Sequence, residues 1–387
     1  MTTASSLAKA PRSEWLLDPG VTFLNHGSFG ATPRAVLAEQ ERWRARMERH
    51  PTGFMTYDLP VALRAAATRL AEFVGAADRD LVFVENATVG CNAVLNTFEL
   101  EAGDEILVTD HCYPAIRKAA EHVARRTGAR VVEAPMPLPL GDCGAIATAI
   151  SSRCGPRTRL AILDHVTSPT AVVCPIRDLT SLCRASGAAV LIDGAHAPGM
   201  LALDIPSIGA DWYVGNCHKW LMAPKGSGFL WTSPARQSDT HPLVISHGYR
   251  QGFTAEFDWT GTRDPSAWLA VPAAIDFHKR LGGPALQARN TALAREAANL
   301  LLQRWRSERA TSDALTGSMA AVRLPAKGAP TAHRALELRR SLFDQHRIEV
   351  AIHLFGGALW ARISAQAYNE LRDYERLAQV FARESPP

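Results

Sequence analysis

The sequence predicts an α/β chain, with a mostly parallel central sheet, flanking helices and a smaller C-terminal α+β domain. Three observations carry this reading. Short apolar, β-rich runs alternate with helical patterns through the middle of the chain, as strands joined by covering helices do. After about residue 265 the rhythm changes to a long one-faced helix and a separate pair of strands. The length, 387 residues with 47% hydrophobic content, exceeds one ordinary core yet stays within the globular range.

Taken in order, Met1–Gly20 shows no apolar stretch with a small-residue cleavage pattern, so no export signal is expected. Leu81–Val84 reads as a strand, and Asn86 opens a helical stretch to about Phe98. Glu105–Asp110 is a second strand, and Pro114–Thr127 a helix with proline in its first turn. Arg130–Ala134, Leu160–Val166 and Ala189–Asp193 read as strands, with a helix over Ile176–Ser186 before the last. Trp212–Gly215 and Gly226–Thr232 follow. Pro135–Pro139 reads as a loop.

Beyond residue 265, the spacing of Leu286, Leu293, Ala297, Leu300 and Leu301 predicts a helix over Pro284–Arg309. A helix near Ala332–His346, strands near Glu349–Leu354 and Ala358–Ser364, and a helix over Tyr368–Ala382 complete the chain. The expected division is a large domain over residues 21–264 and a small one over 265–387 joined by residues 1–20. The tail Arg383–Pro387 is expected to fray.

Composition narrows the function. A net charge of +4 is dispersed and argues against a nucleic-acid surface. No run approaches the length of apolar sequence that a spanning helix needs, so no membrane partner is expected. The seven cysteines are widely spaced without a C-x-x-C pair, which speaks against a disulfide framework or a zinc site. A cytoplasmic location is expected. Only six lysines stand among 36 arginines, so a lysine with suggestive neighbours needs an explanation.

Ligands of open α/β sheets sit beyond the carboxyl ends of the strands. There the chain places Asn86-Ala87-Thr88, then His111 and Tyr113, then Asp164–Ser168, then Asp193-Gly194-Ala195-His196, then Cys217-His218-Lys219. Singly each has a plain structural reading: an aspartate cap, a solvated lysine, hydrogen-bonded histidines, a helix start. Five such features at successive strand ends do not.

A strand-end aspartate followed 26 residues later by a histidine-lysine pair has a chemical meaning. A lysine forms a Schiff base with pyridoxal phosphate, and a carboxylate keeps the ring nitrogen protonated. Asp193 supplies that carboxylate and Lys219 the imine. Thr88 and His218 are donors for the phosphate at a helix N-terminus, with Asn86 and Ala87 beside them. His196 reaches the phenolic oxygen, and either His111 or Tyr113 stacks on the ring.

Leu191-Ile192-Asp193-Gly194-Ala195-His196, His218-Lys219 and Lys225–Leu230 resemble the fold-type I pyridoxal-phosphate enzymes of aminotransferase class V. Phe23–Gly30, Asp164–Ala171 and Trp259–Asp264 resemble the isopenicillin N epimerase-like branch. The resemblance runs from about Phe23 to Asn369. It implies a homodimer in which Gly261-Thr262 reaches the neighbouring subunit's phosphate. It implies that Arg362 clamps a substrate α-carboxylate, that Ser168 approaches the cofactor, and that Asn25 and His26 line the substrate entrance. The implied substrate is a small-molecule amino acid, peptide-like or sulfur-containing, and the implied reaction epimerisation at Cα. C–S β-elimination and decarboxylation stay open, with transamination behind them.

Several alternatives fail on the sequence. A desulfurase needs a nucleophilic cysteine shortly before the carboxylate-binding arginine, and Glu349–Arg362 contains none. No G-x-G-x-x-G follows the first strand, no Gly-Lys pair marks a P-loop, and no G-x-S-x-G marks a hydrolase. A non-enzymatic cofactor sensor is expected to carry a DNA-binding module or to lack the lysine, and neither holds here. Cys217, beside the lysine, is either a second acid for epimerisation or a buried small residue.

Overall fold

The apolar runs of the middle region form seven strands: β1 (Leu81–Val84), β2 (Glu105–Thr109), β3 (Arg130–Ala134), β4 (Thr158–Asp164), β5 (Ala189–Gly194), β6 (Trp212–Asn216) and β7 (Gly228–Thr232). The structure is a computed structural model describing residues 11–325 and 328–382; the tail expected to fray, Arg383–Pro387, lies outside the described residues. The strands lie in the order β1-β7-β6-β5-β4-β2-β3. Neighbours from β6 to β3 are parallel, and β7 alone runs antiparallel to both its neighbours.

Successive side chains of a strand point to opposite faces, so a strand covered on both sides is apolar throughout. Here Phe83, Leu107, Leu163, Ile192 and Phe229 fill the core on one face. Val82, Val108, Ile162, Leu191 and Leu230 fill the other. Two of the helices between strands start and stop close to where the sequence says. The Ala87–Thr97 helix is capped by Asn86, whose Oδ1 accepts the Val89 N–H at 3.0 Å. Pro114 opens the Pro114–Thr127 helix, and left-handed Gly128 ends it.

A second sheet has the order β9-β10-β8, all antiparallel, from β8 (Met319–Arg323), β9 (Ala351–Phe355) and β10 (Ala358–Ser364). The Pro284–Trp305 helix and the Leu371–Ala382 helix pack with it around Leu301, Val322, Ile363 and Tyr374. Leu24, from the N-terminal segment, joins this core, and Thr22–Phe23 pairs in parallel with Ile348–Glu349. Trp268, Ile275 and Phe277 belong to the larger core.

Several elements lie outside the sequence expectations. Arg34–Arg49 buries only Val36 and Gln40, so it lacks an apolar stripe. The Met319–Arg323 strand is alanine-rich and carries little β signal. The helices Leu59–Val74, Cys143–Ser151 and Val271–Arg280 are among them. The strand expected over Glu349–Leu354 is two: Ile348–Glu349 pairs with the N-terminal segment, and β9 starts at Ala351.

Candidate active site

The carboxyl ends of the parallel strands open into a cavity of about 530 Å³. Its wall carries Asn86, Ala87 and Thr88 after β1, Tyr113 after β2, and Asp164 and Ser168 at and beyond the end of β4. Asp193 and His196 come from β5 and its exit, and His218 and Lys219 from the exit of β6. Ser28 and Phe29 close it from the N-terminal segment. Gly30 brings that segment against the lysine: at φ +69° it lies where an added Cβ would meet the His218 carbonyl oxygen at 2.0 Å.

Lys219 Nζ lies 3.3 Å from His196 Nε2, and the Trp220 indole N–H donates to His196 Nδ1 at 3.3 Å. An indole nitrogen only donates, so Nδ1 must accept and Nε2 carries the ring's single proton. The Nε2–H then faces the Lys219 amine. Burial lowers Lys219 to about 8, with the Arg362 charge adding to it, and it holds His196 well below its ordinary value.

Asp193 is buried, and its Oδ1 accepts from the Ala195 N–H at 3.0 Å. Burial raises its carboxyl, against the pull of that amide and of Lys219. At the Ala87–Thr97 helix N-terminus the Ala87 N–H is taken by Asn216 Oδ1 at 2.8 Å and the Val89 N–H by Asn86. The Thr88 amide and hydroxyl have no partner among the described residues, which leaves them for an anion. His218 Nδ1 donates to the Ser227 carbonyl at 2.9 Å, so its Nε2 faces outward as an acceptor. Desolvation holds its pKa at about 4. It becomes a phosphate donor only by taking up a proton.

Arg362, on β10, is 1% exposed and meets no carboxylate among the described residues. Its Nη1 donates to the Ser168 carbonyl at 2.5 Å and to Ser168 Oγ at 3.2 Å, and its Nη2 to Ser28 Oγ at 3.0 Å. The Nε is buried without a partner. Desolvation lowers this guanidinium to about 10. A buried cation beside a cavity, short of an anion, has the chemistry to receive a carboxylate.

The structure leaves other expected residues off the wall. Of the two candidate rings, Tyr113 borders the cavity and His111 does not: His111 is fully buried, bonded to Thr170 Oγ1 and the Met136 carbonyl. His26, expected at the substrate entrance, is instead fully buried between the Tyr368 hydroxyl (2.7 Å) and the Lys219 carbonyl (3.0 Å). Its ring ties the N-terminal segment to the lysine's backbone. Asn25 Oδ1 accepts from Ser28 Oγ and stands 3.5 Å from Arg362 Nη2. Gly261 and Thr262 lie outside the cavity wall of this chain. Cys217 is packed in the core, and burial pushes its thiol far up, so it is not an acid in the cavity.

Sequence reasoning passed over Asp164, Trp220, Ser28 and His353 as site residues. Asp164 carried the same strand-end signal as Asp193. His353 Nε2 is buried without a partner, and Arg362 lowers its pKa after burial does. No spacing in the sequence pointed to it.

A desolvated lysine, a buried carboxylate, free donors at a helix N-terminus and the Tyr113 ring together fit pyridoxal phosphate in size and chemistry. The fold and site define a fold-type I pyridoxal-phosphate-dependent enzyme acting on amino acids. Residues 32–339 match aminotransferase class-V, and the chain belongs to that family. It is 37% identical to the isopenicillin N epimerase of Streptomyces clavuligerus over 96% of each chain. It is 34% identical to putative L-cysteine desulfhydrase 1 of Oryza sativa subsp. japonica, over 93% of this chain and 82% of that one. The solved cystine C–S lyase C-DES superposes with a TM-score of 0.81 at 23% identity, covering 95% and 99% of the two chains, which shows the shared fold.

Proposed function

We propose that this enzyme removes the Cα proton of a peptide-like or sulfur-containing α-amino acid and returns a proton to the opposite face, as an epimerase. The observation that carries this reading is the unpaired, buried Arg362 guanidinium beside the cavity of Lys219. Arg362 receives the substrate carboxylate as a fork and fixes the orientation of Cα. Lys219 takes the proton; burial keeps its amine near the pKa a base needs.

Pyridoxal phosphate supplies the electron sink that makes the Cα–H bond acidic. Asp193 holds the ring nitrogen, Thr88 and His218 hold the phosphate, with Asn86 and Ala87 shaping that end, and His196 donates from Nε2 to the phenolic oxygen. Ser168 positions Arg362. Tyr113 covers the ring, and its hydroxyl is the proton source for the second face, since Cys217 does not reach the cavity.

A second reading, C–S β-elimination, is favoured by the desulfhydrase relative and needs no second acid. Products separate the two. Incubation with an L-amino-acid-terminated peptide in deuterium oxide gives a D-product carrying Cα deuterium if the first holds; pyruvate and free thiol from L-cysteine thioethers support the second.

We also infer a homodimer. Gly261 and Thr262 then meet the neighbouring copy's phosphate, and Leu243, Val244 and Ile245, about half exposed in one chain, become covered. A cytoplasmic location agrees with seven free cysteines. Among the described residues no helix is long and apolar enough to cross a membrane.

A further inference from the structure

The ring-nitrogen end of the cavity carries two aspartates. Asp164 ends β4, and Asp193 lies opposite it in the parallel register of β5. Residues in register share a face of the sheet, and both border the cavity. Each is 5% exposed. Asp193 has the Ala195 amide, whereas Asp164 Oδ2 is buried with no partner among the described residues.

Two ionised carboxylates side by side in a desolvated pocket are costly, and such pairs settle by binding one proton between them. The surroundings do not neutralise the second charge. Among the described residues Lys219 is the cation acting on both; burial lowers it to about 8, and its single charge faces two carboxyls. Tyr213 and the thiols of Cys91, Cys112 and Cys174 also face the pair, and burial keeps all four protonated. The Asp164 carboxyl is raised well above its ordinary value, by burial first and by the Asp193 charge second.

We propose that Asp164 is a second carboxylate for the cofactor's ring nitrogen: with Asp193 it holds one proton, gives it to that nitrogen, and then faces the resulting positive charge as one of two anions. The carboxyl O–H bond breaks as the ring N–H bond forms, so the site neither gains nor loses a proton. The inference rests on the cofactor reading and on Asp193 as the ring-nitrogen partner. Asp164 is a positioning residue for charge, and it keeps the ring protonated at a pH where Asp193 alone does not.

The test uses holoenzyme loaded with ring-¹⁵N pyridoxal phosphate, whose nitrogen chemical shift reports protonation directly and independently of turnover. Asp164→Asn preserves shape and offers Asp193 a neutral donor; Asp164→Ala removes the group. Both variants are expected to lose the ring proton at a pH lower by roughly one to three units, the effect of one nearby opposite charge. Ring protonation unchanged from wild type in both variants overturns the proposal. Asp193→Asn, run beside them, is expected to leave the nitrogen unprotonated throughout. If it stays protonated while the Asp164 variants shift, the Asp193 reading fails and this inference fails with it. If only Asp193→Asn shifts, that reading stands and the role of Asp164 is overturned.

Discussion

Lys219 Nζ stands 3.3 Å from His196 Nε2, and the other imidazole nitrogen accepts from Trp220. The indole therefore sets which nitrogen of His196 can donate towards the lysine. Trp220→Phe removes that donor and lets Nδ1 take a proton. The acid limb of the pH–rate profile is expected to move up towards the ordinary histidine range. Cofactor affinity should fall about fivefold, near the 1 kcal/mol of one hydrogen bond. An unmoved acid limb would show that Trp220 does not fix the tautomer.

The depressed Lys219 also predicts a stability change in the cofactor-free protein. Its pKa is about 8 folded against 10.5 as the ordinary value, so the unfolded chain binds the proton more tightly between these limits. The penalty is complete below about 8 and is relieved as pH rises towards 10.5. Lys219→Met is expected to stabilise the cofactor-free protein at neutral pH by about 2 kcal/mol, discounted from the full shift because the amine faces the cavity. The gain should shrink at alkaline pH. Melting temperatures of the two proteins across pH check both the sign and the trend.

Arg362 makes the opposite kind of prediction for binding and for folding. Arg362→Lys loses the planar fork, and kcat/KM for the amino-acid substrate is expected to drop roughly tenfold to a hundredfold, about 1.5–3 kcal/mol. Arg362→Met should abolish measurable turnover yet leave the cofactor-free protein as stable or more so, because it removes a buried cation with no carboxylate partner. Steady-state kinetics and thermal unfolding, read together, separate a substrate receptor from a structural arginine.

His218 is committed at Nδ1 to the Ser227 carbonyl and has a pKa of about 4 in the anion-free protein. Donating to a phosphate from Nε2 requires proton uptake at any pH above that value. Cofactor affinity of the wild type is expected to weaken as pH rises above about 4, whereas His218→Gln, which donates without a proton, should show a flatter dependence. Equal slopes for the two proteins would remove His218 from the phosphate contacts.

Gly30→Ala tests how the N-terminal segment seats the lysine. The added methyl meets the His218 carbonyl, and φ is +69°. A loss of about 1–3 kcal/mol in stability is expected, with weakened cofactor binding. A variant with normal affinity and melting would show that the segment yields without disturbing Lys219.

The sheet was legible because strands buried on both faces leave continuous apolar runs, as in Leu160–Leu163 and Val190–Ile192. Lys219 and Asp193 were legible because strand ends place chemistry where ligands bind. Trp220 was not, since one indole after a lysine says nothing about the imidazole 24 residues earlier until the loop closes. The choice between His111 and Tyr113 turned on side-chain direction, which adjacent sequence positions do not encode: one ring turns into the core against Met136 and the other borders the cavity. Asp164 carried the right signal, but its meaning emerged only from its register against Asp193.

Lys219 as the base that removes a proton from Cα is open to direct test. The direct measurement is solvent deuterium appearing at Cα of an L-amino-acid-terminated peptide, compared between wild type and Lys219→Ala, both loaded with pyridoxal phosphate. Incorporation by the wild type is expected, with a loss of at least about a thousandfold in the variant, the scale of a missing general base. Full exchange by Lys219→Ala, or none by the wild type on a substrate that it turns over, would contradict this role of Lys219.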